Sequence, residues 1–223
     1  MIIAIAGQKG GCGKSTIAVH LAAEWARRKR RVLLVDADPQ ATSLTWSEVA
    51  FELGAPTVDT IAVGENLRLT VPGIARGYDV TVIDVPGRIQ SKRQVGALMV
   101  ADVAVLPCGP STPDVWALAE TIDLVSEVRH LRPELKAAIV LNRLTQTVES
   151  RLVSEALREL PVALAKTRLR QRVAYSEAMA AGKGITVERP RSAAAREIRA
   201  LATELEQRAS STDYTEETHA HVA

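Results

Sequence analysis

Ile2-Ile3-Ala4-Ile5-Ala6, then Gly7-Gln8-Lys9-Gly10-Gly11-Cys12-Gly13-Lys14-Ser15-Thr16, decide how this chain folds. The apolar run predicts a buried strand. Downstream, Ile17, Leu21 and Trp25 recur every fourth residue with Ala18 and Ala22 beside them, which predicts a helix over residues 15–30. Strand, glycine loop and helix in this order make a phosphate cradle. Glycines let the backbone curl until several N–H groups face one anion, and the helix adds the positive end of its dipole. Gly7 stands seven positions before Lys14, so the motif is better framed from Lys9. It then reads Lys9-Gly10-Gly11-Cys12-Gly13-Lys14-Ser15, a P-loop with a second lysine near its start. Lys14 can reach the β- and γ-phosphates, and the Ser15 hydroxyl can ligate Mg²⁺.

Two further carboxylate motifs follow in order. Val32-Leu33-Leu34-Val35 predicts a buried strand running into Asp36-Ala37-Asp38-Pro39-Gln40. Acidic residues just past the C-terminal end of a parallel strand face the crevice where ligands bind. Asp36 and Asp38 there suggest water positioning or Mg²⁺ organisation, with a plain turn as the alternative. Val80-Thr81-Val82-Ile83-Asp84 is an apolar strand ending in a carboxylate, the Walker B pattern, and Asp84 is expected to hold Mg²⁺ through water. Val85-Pro86-Gly87 makes a loop that could sense the γ-phosphate.

The remaining pattern alternates. Strands are expected at residues 57–63, 102–106, 137–141 and 161–164. Helices are expected at 41–53, 66–76, 113–131, 147–159, 171–181 and 191–208, with Trp46 near the site. This alternation predicts an α/β fold: one P-loop NTPase domain over residues 1–208, with a doubly wound, mostly parallel sheet and helices on both faces. The chain is 47% hydrophobic but 3% aromatic, so its core is aliphatic, as covered parallel strands require. Residues 209–223 are polar and expected to be a disordered tail, where His219 and His221 form no convincing metal site. No signal peptide is visible, and no apolar run reaches the roughly 18 residues of a membrane span. Cys12 and Cys108 make neither a disulfide framework nor a metal cluster, which fits a reducing cytoplasm.

Net charge is +2, unevenly placed. Residues 161–208 carry 10 basic and 5 acidic side chains, net +5, on a body whose first 160 residues carry 18 of each sign. That excess is a candidate polyanion surface, with Arg168, Arg170, Arg172, Arg189, Arg191, Arg196 and Arg199 as its cations. Ordinary surface charge is the alternative. Tyr175 is the lone aromatic among them, so base stacking is not indicated. The run Arg27-Arg28-Lys29-Arg30-Arg31 reads as a solvated helix cap.

Taken together, the motifs resemble those of the ParA/MinD ATPases. Lys9-Gly10-Gly11-Cys12-Gly13-Lys14-Ser15-Thr16 is similar to their deviant Walker A, with Lys9 as its signature lysine. Asp36-Ala37-Asp38-Pro39-Gln40 and Val82-Ile83-Asp84 resemble their second motif and Walker B, and the similarity runs to about residue 208. The resemblance implies an ATP-sandwich homodimer in which Lys9 crosses to the partner's phosphates. It implies catalytic roles for Lys9, Lys14 and Asp38, with Asp38 orienting the attacking water. It also implies nucleotide contacts from Gly10, Gly11, Cys12, Gly13, Lys14, Ser15 and Thr16, adenine contacts near Asn142 and Arg143, Mg²⁺ at Ser15 and Asp84, and Asp36 in that ion's outer shell. The short ParA proteins are the best match. They imply a cytoplasmic, nucleoid-associated ATPase that binds DNA non-specifically as an ATP dimer and is stimulated by a ParB-like adaptor. The acidic tail is not amphipathic, so membrane targeting is not expected. A metabolic P-loop ligase, or a regulatory ATPase acting through protein contacts alone, remain alternatives.

Overall fold

Every residue of Val32–Asp36, Val80–Asp84 and Val103–Cys108 is buried, because these strands lie inside a sheet covered on both faces. The computed structural model describes residues 1–87, 92–145, 147, 152, 153 and 155–211. Six strands, β1 (Ile2–Ile5), β2 (Val32–Asp36), β3 (Asp59–Ala62), β4 (Val80–Asp84), β5 (Val103–Cys108) and β6 (Lys136–Leu141), pair in parallel in the order β3-β2-β4-β1-β5-β6. The helices are α1 (Lys14–Arg27), α2 (Thr42–Glu52), α3 (Leu67–Ala75), α4 (Lys92–Val100), α5 (Thr112–Leu131), α6 (Val173–Ala180), α7 (Ile185–Glu188) and α8 (Ala193–Ser210).

The period-two alternation of each strand sorts the core into two layers. Ile3, Ile5, Leu34, Val82 and Val105 face α1 and the C-terminal helices, with Trp25, Ile198, Leu201 and Leu205. Ala4, Leu33, Val35, Ile83 and Leu106 face α3, α4 and α5, with Leu67, Leu98, Leu118 and Ile122. Trp46 lies in the first layer as a buried core side chain and not at the site.

Several expected boundaries move. α1 stops at Arg27 and not at residue 30, since Lys29 takes a left-handed backbone with φ 66°. Arg27 and Arg28 both grip the buried Glu24, Arg28 also reaches Glu206 on α8, and Arg31 pairs with Asp79, so carboxylates hold three cations of the basic run. The expected strand at 161–164 is only a bridge from Leu164 to Ile139, and β3 is shorter than 57–63. Of the expected helix 147–159, the described part closes in a 3₁₀ turn at Leu157–Glu159; the rest includes residues outside the described set. α4 and α7 are additions that periodicity did not mark. α8 runs to Ser210, into the stretch expected as tail; residues 212–223, with both tail histidines, lie outside the described residues.

Candidate functional site

Three chain segments meet at the C-terminal ends of neighbouring strands. In register, Asp36 of β2 lies opposite Asp84 of β4, and Asp84 opposite Ile5 of β1, so the glycine loop leaves the sheet beside both carboxylates. Gly13 is the N-cap of α1 at φ 93°, ψ 25°. A side chain there is doubly excluded: the backbone is left-handed, and a Cβ would stand 2.3 Å from Asn142 Nδ2. α1 has no side-chain cap and no acidic residue in its first turn, which leaves its first N–H groups for an anion. A Cβ added at Gly10 or Gly11 would meet nothing within 4 Å. Lys14 is buried and folds back into the loop, its Nζ donating to the Lys9 carbonyl at 3.0 Å. Gly87 packs against it, with an added Cβ only 3.0 Å from Lys14 Nζ. Cys12 and Thr16 complete the loop, and burial pushes the Cys12 thiol up, making it a packing residue. Cys108 is likewise buried and free.

The carboxylates divide into distinct jobs. Asp84 is fully buried, and burial pushes its carboxyl up to about 6, against the Ser15 and Ser43 hydroxyls that hold it down. Ser43 Oγ donates to Oδ2 at 2.8 Å, whereas the buried Oδ1 has no hydrogen-bond partner among the described residues. An orphaned carboxylate oxygen beside a serine and a phosphate cradle fits a bound Mg²⁺. Asp36 is also raised by burial, but its two oxygens are spent on backbone: Oδ1 accepts from Asp38 N at 3.0 Å and Oδ2 from Leu44 N at 2.9 Å. It fixes the turn and the first turn of α2. Asp38 is half-exposed, with Oδ1 accepting from Gln40 N at 2.9 Å.

Elsewhere the outcome is mixed. The Asn142 side chain donates to the Cys12 carbonyl at 2.7 Å, so it braces the P-loop; exposed Arg143, at φ 57°, stands at the rim. Lys9 turns away from the cradle to Asp114, 2.6 Å away. Arg168, Arg170, Arg191 and Arg196 are exposed. Arg172 is tied to Glu197 at 2.7 Å and Arg189 to Glu177 at 2.9 Å. Arg199 donates to the Pro190 carbonyl. Sequence reasoning missed Ser43, Asp114 and Gln94, whose side chain donates to the Pro86 carbonyl at 2.9 Å and steadies the loop after Asp84. Ser43 and Gln94 carry no motif, since each works through a fold contact, whereas Asp114 closes the Ser111-Thr112-Pro113-Asp114 capping-box pattern that could have marked it.

A parallel sheet with a glycine loop after β1 and carboxylates ending β2 and β4 defines a P-loop nucleotide-binding domain. Residues 3–185 match the CobQ/CobB/MinD/ParA nucleotide binding domain, and the chain belongs to that family of ParA/MinD-type ATPases. It is 31% identical to maintenance of carboxysome distribution protein A of Halothiobacillus neapolitanus over 82% of this chain and 85% of that protein. It is 30% identical to the chromosome-partitioning ATPase Soj of Thermus thermophilus over 91% of this chain and 94% of that one. The structure of apo McdA from Cyanothece superposes with a TM-score of 0.75 at 17% identity, covering 92% and 98% of the two chains, which speaks for the fold alone.

Proposed function

We propose that this chain is an ATP-dependent dimerising ATPase that positions or segregates DNA or another cargo, binding DNA non-specifically as the ATP dimer and releasing it when a partner protein stimulates hydrolysis. One observation carries the reading. The two lysines of the loop diverge: Lys14 points into its own cradle, while Lys9 extends along the rim with 43% of its side chain exposed. Lys14 serves the loop's own nucleotide, and Lys9 is available to a neighbour's. A cation supplied in trans stabilises the charge that builds on the γ-phosphoryl oxygens, as an arginine finger does. Gly10, Gly11, Cys12, Gly13, Ser15 and Thr16 offer backbone N–H groups to the phosphates, and Asp38 orients the attacking water. Ser15 and Asp84 hold Mg²⁺, which neutralises phosphate charge when bound. Asn142 positions the loop beneath the nucleotide, and Arg143 stands at the rim for the base.

The Asp84 environment gives a signed pH dependence. Its raised value means that the nucleotide-free protein binds more protons than the unfolded chain between the ordinary carboxylate range and about pH 6. In that window this group favours the fold as pH falls. Mg²⁺ requires the carboxylate, so acidification opposes the metal. Mg²⁺-dependent ATP affinity is expected to fall about fivefold between pH 6 and pH 5, and Asp84→Asn to flatten this fall in calorimetric titrations.

For DNA, Arg168 and Arg170 are exposed, whereas the partly buried Arg172 is held by Glu197. A double Arg168→Ala/Arg170→Ala variant is expected to lower the salt slope of random-sequence DNA binding by about 2. Arg172→Ala is expected to lower thermal stability instead, because it takes the counter-charge from Glu197 and leaves it with Tyr175 Oη and Arg170 N. The deciding experiment is a salt titration of DNA binding with ATP and with ADP. An ATP form without salt-sensitive DNA binding removes the DNA half of the reading. Two relatives are named for carboxysome distribution and chromosome partitioning.

A further inference from the structure

We infer that Asp114 is a positioning residue that holds Lys9 in cis, away from the phosphate cradle, until a second protomer's nucleotide takes the lysine over. The inference rests on the dimer reading above. Lys9 Nζ meets Asp114 Oδ1 at 2.6 Å, across 105 residues of sequence.

The acceptor is built in. Asp114 belongs to the first turn of α5, where it and Ser111 form a reciprocal capping box: Ser111 Oγ donates to Oδ2 at 2.5 Å and Ser111 N at 3.2 Å. Gly109 makes room for it, since a Cβ there would lie 2.3 Å from the same oxygen. Burial alone would raise this carboxyl, but Lys9 and Ser111 hold it below its ordinary range, so it is ionised at neutral pH. Its side chain is 12% exposed against 43% for Lys9: the carboxylate is the fixed half and the lysine the movable half.

The same helix holds the preceding residue. Gln8 N donates to Thr121 Oγ1 at 3.3 Å, and the Gln8 side-chain amide donates to Glu120. α5 thus grips residues 8 and 9 from outside, while Gly10 and Gly11 face open space. The contact is a part-exposed ion pair, weak enough to be exchanged. A triphosphate brings more negative charge than one carboxylate, so the exchange runs toward the nucleotide when a second protomer presents one. In its absence, Lys9 is kept from its own loop and from wandering, and dimerisation waits for ATP.

The test is a neutral and a charged variant at Asp114, read by analytical ultracentrifugation with MgATP. Asp114→Asn keeps the size and a capping oxygen while removing the charge. It is expected to lower the protein concentration at which half the chain is dimeric by about threefold to fivefold, the size of a part-exposed ion pair. Monomer ATP affinity is expected to stay unchanged. Asp114→Glu, which keeps the charge and the capping box, is expected to restore the wild-type value. If Asp114→Asn does not fold, Asp114→Gln carries the measurement, since glutamine is favoured at that capping position. In a Lys9→Ala background, followed at higher protein concentration, the gain is expected to vanish. A shift of equal size with and without Lys9, or none with it, overturns the assignment and leaves Asp114 as a helix cap. A wild-type chain that binds MgATP but stays monomeric overturns instead the dimer reading on which the inference stands.

Discussion

Lys14→Ala is expected to weaken MgATP binding by at least about 100-fold, which amounts to loss of detectable binding in a calorimetric titration. A hydrogen bond to a charged group is worth about 1.5–3 kcal/mol, and Lys14 can serve more than one phosphate oxygen. The fold is expected to survive. Lys14 is buried, and among the described residues it meets the Lys9 carbonyl and the Cys12 sulfur, with no carboxylate paired to it. A buried ammonium without a counter-charge costs the protein stability. Alanine relieves that cost, so the nucleotide-free melting temperature is expected to hold or rise while the rise on adding MgATP disappears. A preserved ATP-induced shift in this variant removes Lys14 from the binding site.

Asp38→Ala is expected to lower hydrolysis by about 100- to 10,000-fold, the range for losing a positioned group that handles the nucleophile's proton. Binding is a separate step and is expected to persist, so the variant accumulates as an ATP-bound dimer. The geometry distinguishes Asp38 from its neighbour. Asp36 has both oxygens committed to backbone amides, whereas Asp38 is half-exposed with one oxygen on Gln40 N. Asp36→Ala should therefore lower stability through the turn and α2, and Asp38→Ala should not. Single-turnover measurements with the two variants, alongside thermal melts, separate these effects. Normal turnover by the Asp38 variant takes that residue out of the mechanism.

The parts of the site that were legible in sequence are those written into one segment. An apolar run followed by glycines, lysine and serine carries its own geometry, because strand, turn and helix are local preferences. The same holds for Asp36, Asp38 and Asp84, each just past an apolar strand. What was not legible depends on contacts between segments. α4 has no strong apolar period, since three of its buried positions are Gln94, Gly96 and Ala97, yet its Gln94 steadies the loop after Asp84. Asn142 carries no sign in the sequence of its contact with the P-loop, where its side-chain amide donates to the Cys12 carbonyl. The arginine cluster was counted as seven charges, and only packing reveals that Arg172 and Arg189 are already matched by Glu197 and Glu177.

Composition and local pattern, by themselves, determined a parallel α/β domain and a phosphate cradle at the end of its first strand. Aliphatic runs can be buried only between helical layers, and a glycine loop ahead of a helix presents N–H groups whatever follows. Strand order was beyond that reach, because the crossover that brings Asp84 beside both Ile5 and Asp36 is a choice among pairings of similar local cost. The place of Lys9 was likewise a tertiary decision. Its charge is visible in the sequence, but its direction is set by a carboxylate on α5, mounted by Ser111 and given room by Gly109.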